Sequence, residues 1–120
     1  MDYAHLRTLI QALEPRDALE ASHRSRMLAL VDEAKGAAAF SREHFTPGHV
    51  TASAFIVNPT RDAILLIFHG KLSRWLQPGG HVERGDADIV ASARREVAEE
   101  VGLYDLPLAH AGGHRSRAPP

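Results

Sequence analysis

Apolar residues recur at helical spacing near the start of the chain and again near its end, with strand-like runs between. Leu6, Leu9, Ile10 and Leu13 form one stripe, and Pro15 closes the helix they predict. Asp17 can cap a second helix, with Leu19, His23, Met27, Leu30, Val31 and Ala34 facing inward. Residues 1–40 therefore read as helical, and 37–49 as a connector with a Pro47-Gly48 turn. Val50–Val57 is rich in β-branched and aromatic residues and predicts a strand. Residues 58–62 (NPTRD) predict a turn, so Ala63–Phe68 would pair with the first strand as an antiparallel hairpin. The continuous apolar run of this second strand predicts burial on both faces. Residues 69–78 read as a loop carrying Trp75 and Leu76.

The chain is organised around residues 79–103, GGHVERGDADIVASARREVAEEVGL. A glycine turn is expected to open this stretch, with Gly79, Gly80 and Gly85 allowing a tight backbone path. A helix follows. Val90, Ala93, Val97 and Val101 give it a core-facing stripe, Asp86 or Asp88 can cap its start, and Gly102 can end it in a left-handed conformation. At roughly 100° per residue, Glu96, Glu99 and Glu100 fall within about a quarter-turn of one another. Carboxylates crowded in this way repel. A hard divalent cation, which takes oxygen ligands, would relieve that repulsion. Taken alone, the same acids also suit a solvated helix face.

Spacing adds to the acids. The stretch resembles the signature of the Nudix hydrolases, G-x5-E-x7-R-E-U-x-E-E-x-G-U with U apolar. Gly80, Arg95, Glu96, Val97, Glu99, Glu100, Gly102 and Leu103 match it. Asp86 stands where the family usually has Glu, and eight residues rather than seven separate it from Arg95. An extra residue can be absorbed before the helix begins, leaving Asp88 as an alternative to Asp86 in the structural role. The resemblance implies an α/β fold, an α/β/α sandwich around a mixed sheet. It implies hydrolysis of the pyrophosphate bond in nucleoside diphosphate derivatives, with Mg²⁺ or Mn²⁺ as cofactor. Glu96, Glu99 and Glu100 would hold the metal, with the Gly79 carbonyl as a further ligand. Glu96, Glu99, Glu100 and Arg95 would form the catalytic set, one glutamate taking the proton of the attacking water. Arg95 is expected to orient a glutamate or pair with Asp86 or Asp88. Gly80 and His81 would lie on the substrate side.

Composition narrows the partners. The 120 residues suffice for one domain with a real core. A net charge of −1 lacks the basic excess of a general nucleic-acid binder. No cysteine is present, which fits a cytoplasmic protein. No apolar run reaches membrane-spanning length. His44, His49 and His69 lack zinc-ligand spacing and read as surface or locally bonded groups. Trp75 reads as core rather than a base-stacking platform.

The expected organisation is a helical extension at 1–45, a partial Nudix domain at 46–108 and a disordered tail at 109–120. Only seventeen residues follow Leu103, so the fold is expected to be incomplete at its C-terminus. An open sheet edge would then invite aggregation or a homodimer. The alternative function is an inactive remnant, or a binding module that keeps the metal helix without a substrate groove.

Overall fold

Two helices form first along the chain, each begun by an aspartate. In the computed structural model, which describes residues 2–34, 36–41 and 48–108, α1 spans Tyr3–Ala12 and α2 spans Ala18–Ala34. Asp2 caps α1 by accepting the His5 N–H at 2.9 Å, and Asp17 accepts the Glu20 N–H at 2.8 Å. Each side chain satisfies an N–H that the first turn leaves without a helical partner. The helices pack together, and Arg7 on α1 grips Asp32 on α2 through two hydrogen bonds, at 2.6 and 3.1 Å.

The inward face of α2 differs from the predicted one. Val31 is fully buried, with Leu28, Leu30 and Ala34 packed around the core. Leu19, Met27 and His23, expected inward, are exposed. Leu6 and Ile10 carry the buried face of α1, and Leu9 lies outside it. The partner surface is small, so only the part of α2 lying over α1 and the following 3₁₀ turn, Gly36–Phe40, is covered.

Six short strands follow: β1 Thr51–Ser53, β2 Ile56–Val57, β3 Ile64–Leu65, β4 Ile67–His69, β5 Arg74–Leu76 and β6 Gly79–His81. Every pairing among the described residues is antiparallel: β1 with β6, β2 with β3 and β4 with β5. The predicted hairpin is present, with Ile56 opposite Leu65 and Val57 opposite Ile64. Its turn is held by Asn58, whose Oδ1 accepts the Asp62 and Ala63 N–H groups. The pairings of a mixed sheet are not found among the described residues; all three small sheets are antiparallel.

Three other readings change. Residues 69–78 are not one loop: β4 and β5 form a second hairpin, with Phe68 opposite Trp75. The strand predicted at Ala63–Phe68 is not buried on both faces, because Ile64 and Phe68 are about half exposed. Trp75 is not core; it is 65% exposed and tilts against Phe68 at 5.3 Å. Phe55, Val57, Ile64, Leu66, Phe68 and Trp75 are all exposed, with Val57 opposite Ile64 in one hairpin and Phe68 opposite Trp75 in the other.

The third helix, α3, spans Ile89–Val101 and packs on β1 and β6. Residues 109–120, expected to be disordered, lie outside the described residues, as do Pro47 of the predicted turn and His44. The buried cluster is Leu6, Ile10, Val31, Ala39, Phe40 and Val50, with Val82 and Ile89 packed against it. The N-terminal helices and the start of α3 thus share one core. A backbone hydrogen bond from the Asp2 N–H to the Ala87 carbonyl, at 2.8 Å, ties them further.

Val31→Ala is expected to lower stability by about 2 kcal/mol, from lost burial and the cavity left behind. Leu19→Ala is expected to stay within about 0.5 kcal/mol, because Leu19 is on the surface. Urea unfolding of the two variants beside the wild type checks both.

Candidate functional site

The site is assembled at the junction of β6 and α3. Asp88 caps α3, accepting the Ala91 N–H at 2.8 Å. Gly102 ends it at φ 70°, the left-handed region that favours glycine. Between strand and helix lies Asp86, 8% exposed, and its carboxylate is fully engaged. Oδ1 accepts Arg95 Nε at 2.9 Å. Oδ2 accepts Arg95 Nη2 at 3.0 Å, the Glu83 N–H at 2.9 Å and the Ser92 hydroxyl at 2.6 Å. Arg95 and Asp86 are thus a bidentate pair, the geometry a planar guanidinium matches best. Of the two aspartates, Asp86 takes the structural role with Arg95, and Asp88 is left as the cap.

Arg95 reaches further. Its Nη2 donates to the His81 carbonyl at 2.9 Å, and its Nη1 contacts Glu96 at 3.1 Å and Glu99 at 3.3 Å. One guanidinium therefore joins the inter-element loop, β6 and two of the predicted metal ligands. The Arg95 side chain holds Asp86 well below the usual carboxylate range, with the Ser92 hydroxyl and the Glu83 N–H adding to the effect against burial.

The three glutamates separate into two settings. The Glu96 side chain is 12% exposed and lies over β6. Burial, and then contact with the Glu100 carboxyl, push its pKa up, while Arg95 opposes them. Glu100 is exposed and accepts the Gly79 N–H at a long 3.4 Å. Glu99, with its side chain 55% exposed, turns toward Arg95. Among the described residues no group of three or more acids, histidines or cysteines is close enough to hold a metal ion. Glu96 and Glu100 are the pair brought together.

Gly79 and Gly80 are not a turn. They form β6, opposite Ser53 and Ala52, with no left-handed φ. Glycine is required there by close approach. A Cβ on Gly79 would sit 2.4 Å from Ser53 Cβ and 2.7 Å from the Ala52 carbonyl oxygen. A Cβ on Gly80 would sit 2.6 Å from a Glu96 carboxylate oxygen. The missing side chain of Gly80 is the space the Glu96 carboxylate occupies. His81 also lies in β6, and its ring stacks on His49 with centroids 5.2 Å apart.

A groove of about 770 Å³ runs between residues 51–58, the face of α3 that carries Val90, Ala93 and Val97, and Leu103–Leu108. None of the predicted site residues lines it. Sequence reasoning missed Ser92. Its signal was a small polar residue three positions before Arg95, on the same helix face.

A family model described as NUDIX domain matches residues 47–119, more than half of the chain. The chain belongs to the Nudix family, an α/β fold with helices and small antiparallel sheets. Neither curated proteins nor solved structures give a match. Nudix proteins are in general hydrolases of the pyrophosphohydrolase kind, which act on small nucleotide derivatives and use divalent metals.

Asp86→Asn is expected to cost about 3 kcal/mol at pH 7, because it leaves a largely buried guanidinium short of its partner. The folded pKa of Asp86 lies below its unfolded value of about 3.9, so its contribution is complete above that pH. It is lost as pH falls from there toward the folded pKa. The difference between wild type and variant should therefore narrow in denaturant titrations at pH 3 relative to pH 7. Gly79→Ala should cost about 2 kcal/mol, since backbone must move. Gly80→Ala should mainly displace Glu96, with a smaller loss of stability; the same titrations separate the two.

Proposed function

We propose that this chain is a metal-dependent hydrolase of the pyrophosphate bond in nucleoside diphosphate-linked compounds. The observation that carries the reading is the Glu96 carboxyl, largely withdrawn from solvent beside Glu100 and seated over the bare backbone of Gly80. Two carboxyls in contact favour a shared proton or a shared cation, and all their donor atoms are the hard oxygens that Mg²⁺ or Mn²⁺ takes. The residues fit such an ion in chemistry: Glu96 and Glu100 would hold it, with Glu99 and the Gly79 carbonyl completing the set. When bound, the ion supplies neutralisation of the anhydride's charge and acidification of water. The chain's own part is to bring water to phosphorus and to accept its proton on a carboxylate of Glu96, Glu99 or Glu100. A P–O bond to the bridging oxygen breaks as the new P–O bond forms. Arg95 holds Glu96 and Glu99 in place from the side. Gly80 and His81 stand on the strand next to these acids, where a phosphate group would lie.

The organisation that goes with this reading is a helical extension at 1–45 and a Nudix domain at 46–108, followed by the segment 109–120. The domain would be built as an α/β/α sandwich, work in the cytoplasm and take a small nucleotide derivative rather than nucleic acid. No helix among the described residues is long and apolar enough to cross a membrane. The exposed apolar side chains of the two hairpins, Val57, Ile64, Phe68 and Trp75, are consistent with a homodimer. A second reading, a binding module without turnover, is favoured by one observation: Glu99 faces Arg95, and no three acids converge among the described residues.

Purified protein should bind Mn²⁺, read by electron paramagnetic resonance, and hydrolyse at least one member of a panel of nucleoside diphosphate derivatives. Glu99→Gln and Glu100→Gln should each lower kcat by about a hundredfold or more while the fold persists by circular dichroism. Metal binding without turnover on any panel member would support the binding module. Absence of both would remove the hydrolase reading.

A further inference from the structure

Ser92 is a fully buried polar residue at the end of the first turn of a helix. A helical serine usually points to solvent or returns its hydroxyl to the carbonyl four residues back. Alanine would favour the helix more, and burying a hydroxyl is costly unless it is bonded. Ser92 instead donates to Asp86 Oδ2 at 2.6 Å. Residues three apart on a helix lie on one face, so Ser92 and Arg95 close on the same carboxylate from one side. Asp86 is one methylene shorter than glutamate and is separated from the α3 cap by Ala87. The Ser92 hydroxyl and the Glu83 N–H supply two of the three donors on Oδ2, and Arg95 supplies the third.

We propose that Ser92 is a positioning residue: by fixing the Asp86 carboxylate it fixes the Arg95 guanidinium, and through Arg95 the carboxylates of Glu96 and Glu99. Its consequence for metal binding rests on the hydrolase reading above; its control of Arg95 does not. The contacts form a continuous chain from a buried hydroxyl to the candidate ligands. The Ser92 hydroxyl donates to Asp86 and to neither glutamate.

The metal-free protein tests the first link. The Arg95 Nε–H, bonded to Asp86, should exchange slowly with water by NMR. Ser92→Ala should speed that exchange about tenfold or more, the worth of one hydrogen bond to a charged group. The second link is tested by Mn²⁺ titration. Ser92→Ala should weaken affinity about threefold to tenfold, and should have no further effect once Asp86→Asn is present. Equal Arg95 Nε–H exchange in wild type and Ser92→Ala would overturn the proposal. So would an undiminished Ser92→Ala effect in the Asp86→Asn background. If wild type takes no Mn²⁺, the hydrolase reading falls, and the exchange measurement still decides the role of Ser92.

Discussion

The pairing of Arg95 with Asp86 is the constraint on which the site depends. Asp86 belongs to the segment entering α3, Arg95 to the helix itself, and the arginine also bonds the carbonyl of His81 in β6. Three pieces of chain are thereby held to one planar group. A guanidinium suits this task because its donors point in several fixed directions and it does not lose its charge. The Asp86 carboxylate is nearly out of solvent, and such a pair is favourable only when the remaining lone pairs are satisfied. The Ser92 hydroxyl and the Glu83 N–H meet that condition.

Around this anchor the chain places unlike environments a few ångströms apart. Glu96 is pressed against strand backbone, where burial opposes its charge. Glu99 is one turn further on, exposed and neutralised by Arg95. The absence of a side chain at Gly80 makes the buried position available. Carboxylates of one sequence cluster are thus divided by their neighbours, as the balance of desolvation and charge pairing requires.

The N-terminal helices are part of the same body. Val31 and Ile10 share a buried cluster with Val50, and Val82 and Ile89, which flank the site, pack against it. The Asp2 to Ala87 hydrogen bond ends on the residue between Asp86 and the α3 cap. Helix docking and the entry to α3 are therefore joined mechanically. The two hairpins are different: Val57, Ile64, Phe68 and Trp75 keep large apolar side chains exposed there. Exposed apolar side chains gathered in this way generally mark a surface meant to be covered.

The sequence alone determined the elements whose causes are local. Spacing placed α3, Gly102 ended it, Asp17 began α2, and the Asn58–Asp62 turn made a hairpin. Each follows from dihedral preference or from a bond spanning a few residues. The matched positions of the motif also announced the family, because glycines, an arginine and acids recurred at fixed intervals. Only the tertiary structure decided matters that depend on partners distant in the chain. Leu19 and Met27 have apolar side chains, yet no surface lies opposite them. Gly79 and Gly80 read as a turn from their type, but they are glycines because Ser53, Ala52 and Glu96 come too close for a Cβ. Asp86 and Asp88 were equivalent on paper, and the position of Arg95 separated them. Burial, charge pairing and close contact are properties of neighbours, and those are chosen by the folded chain.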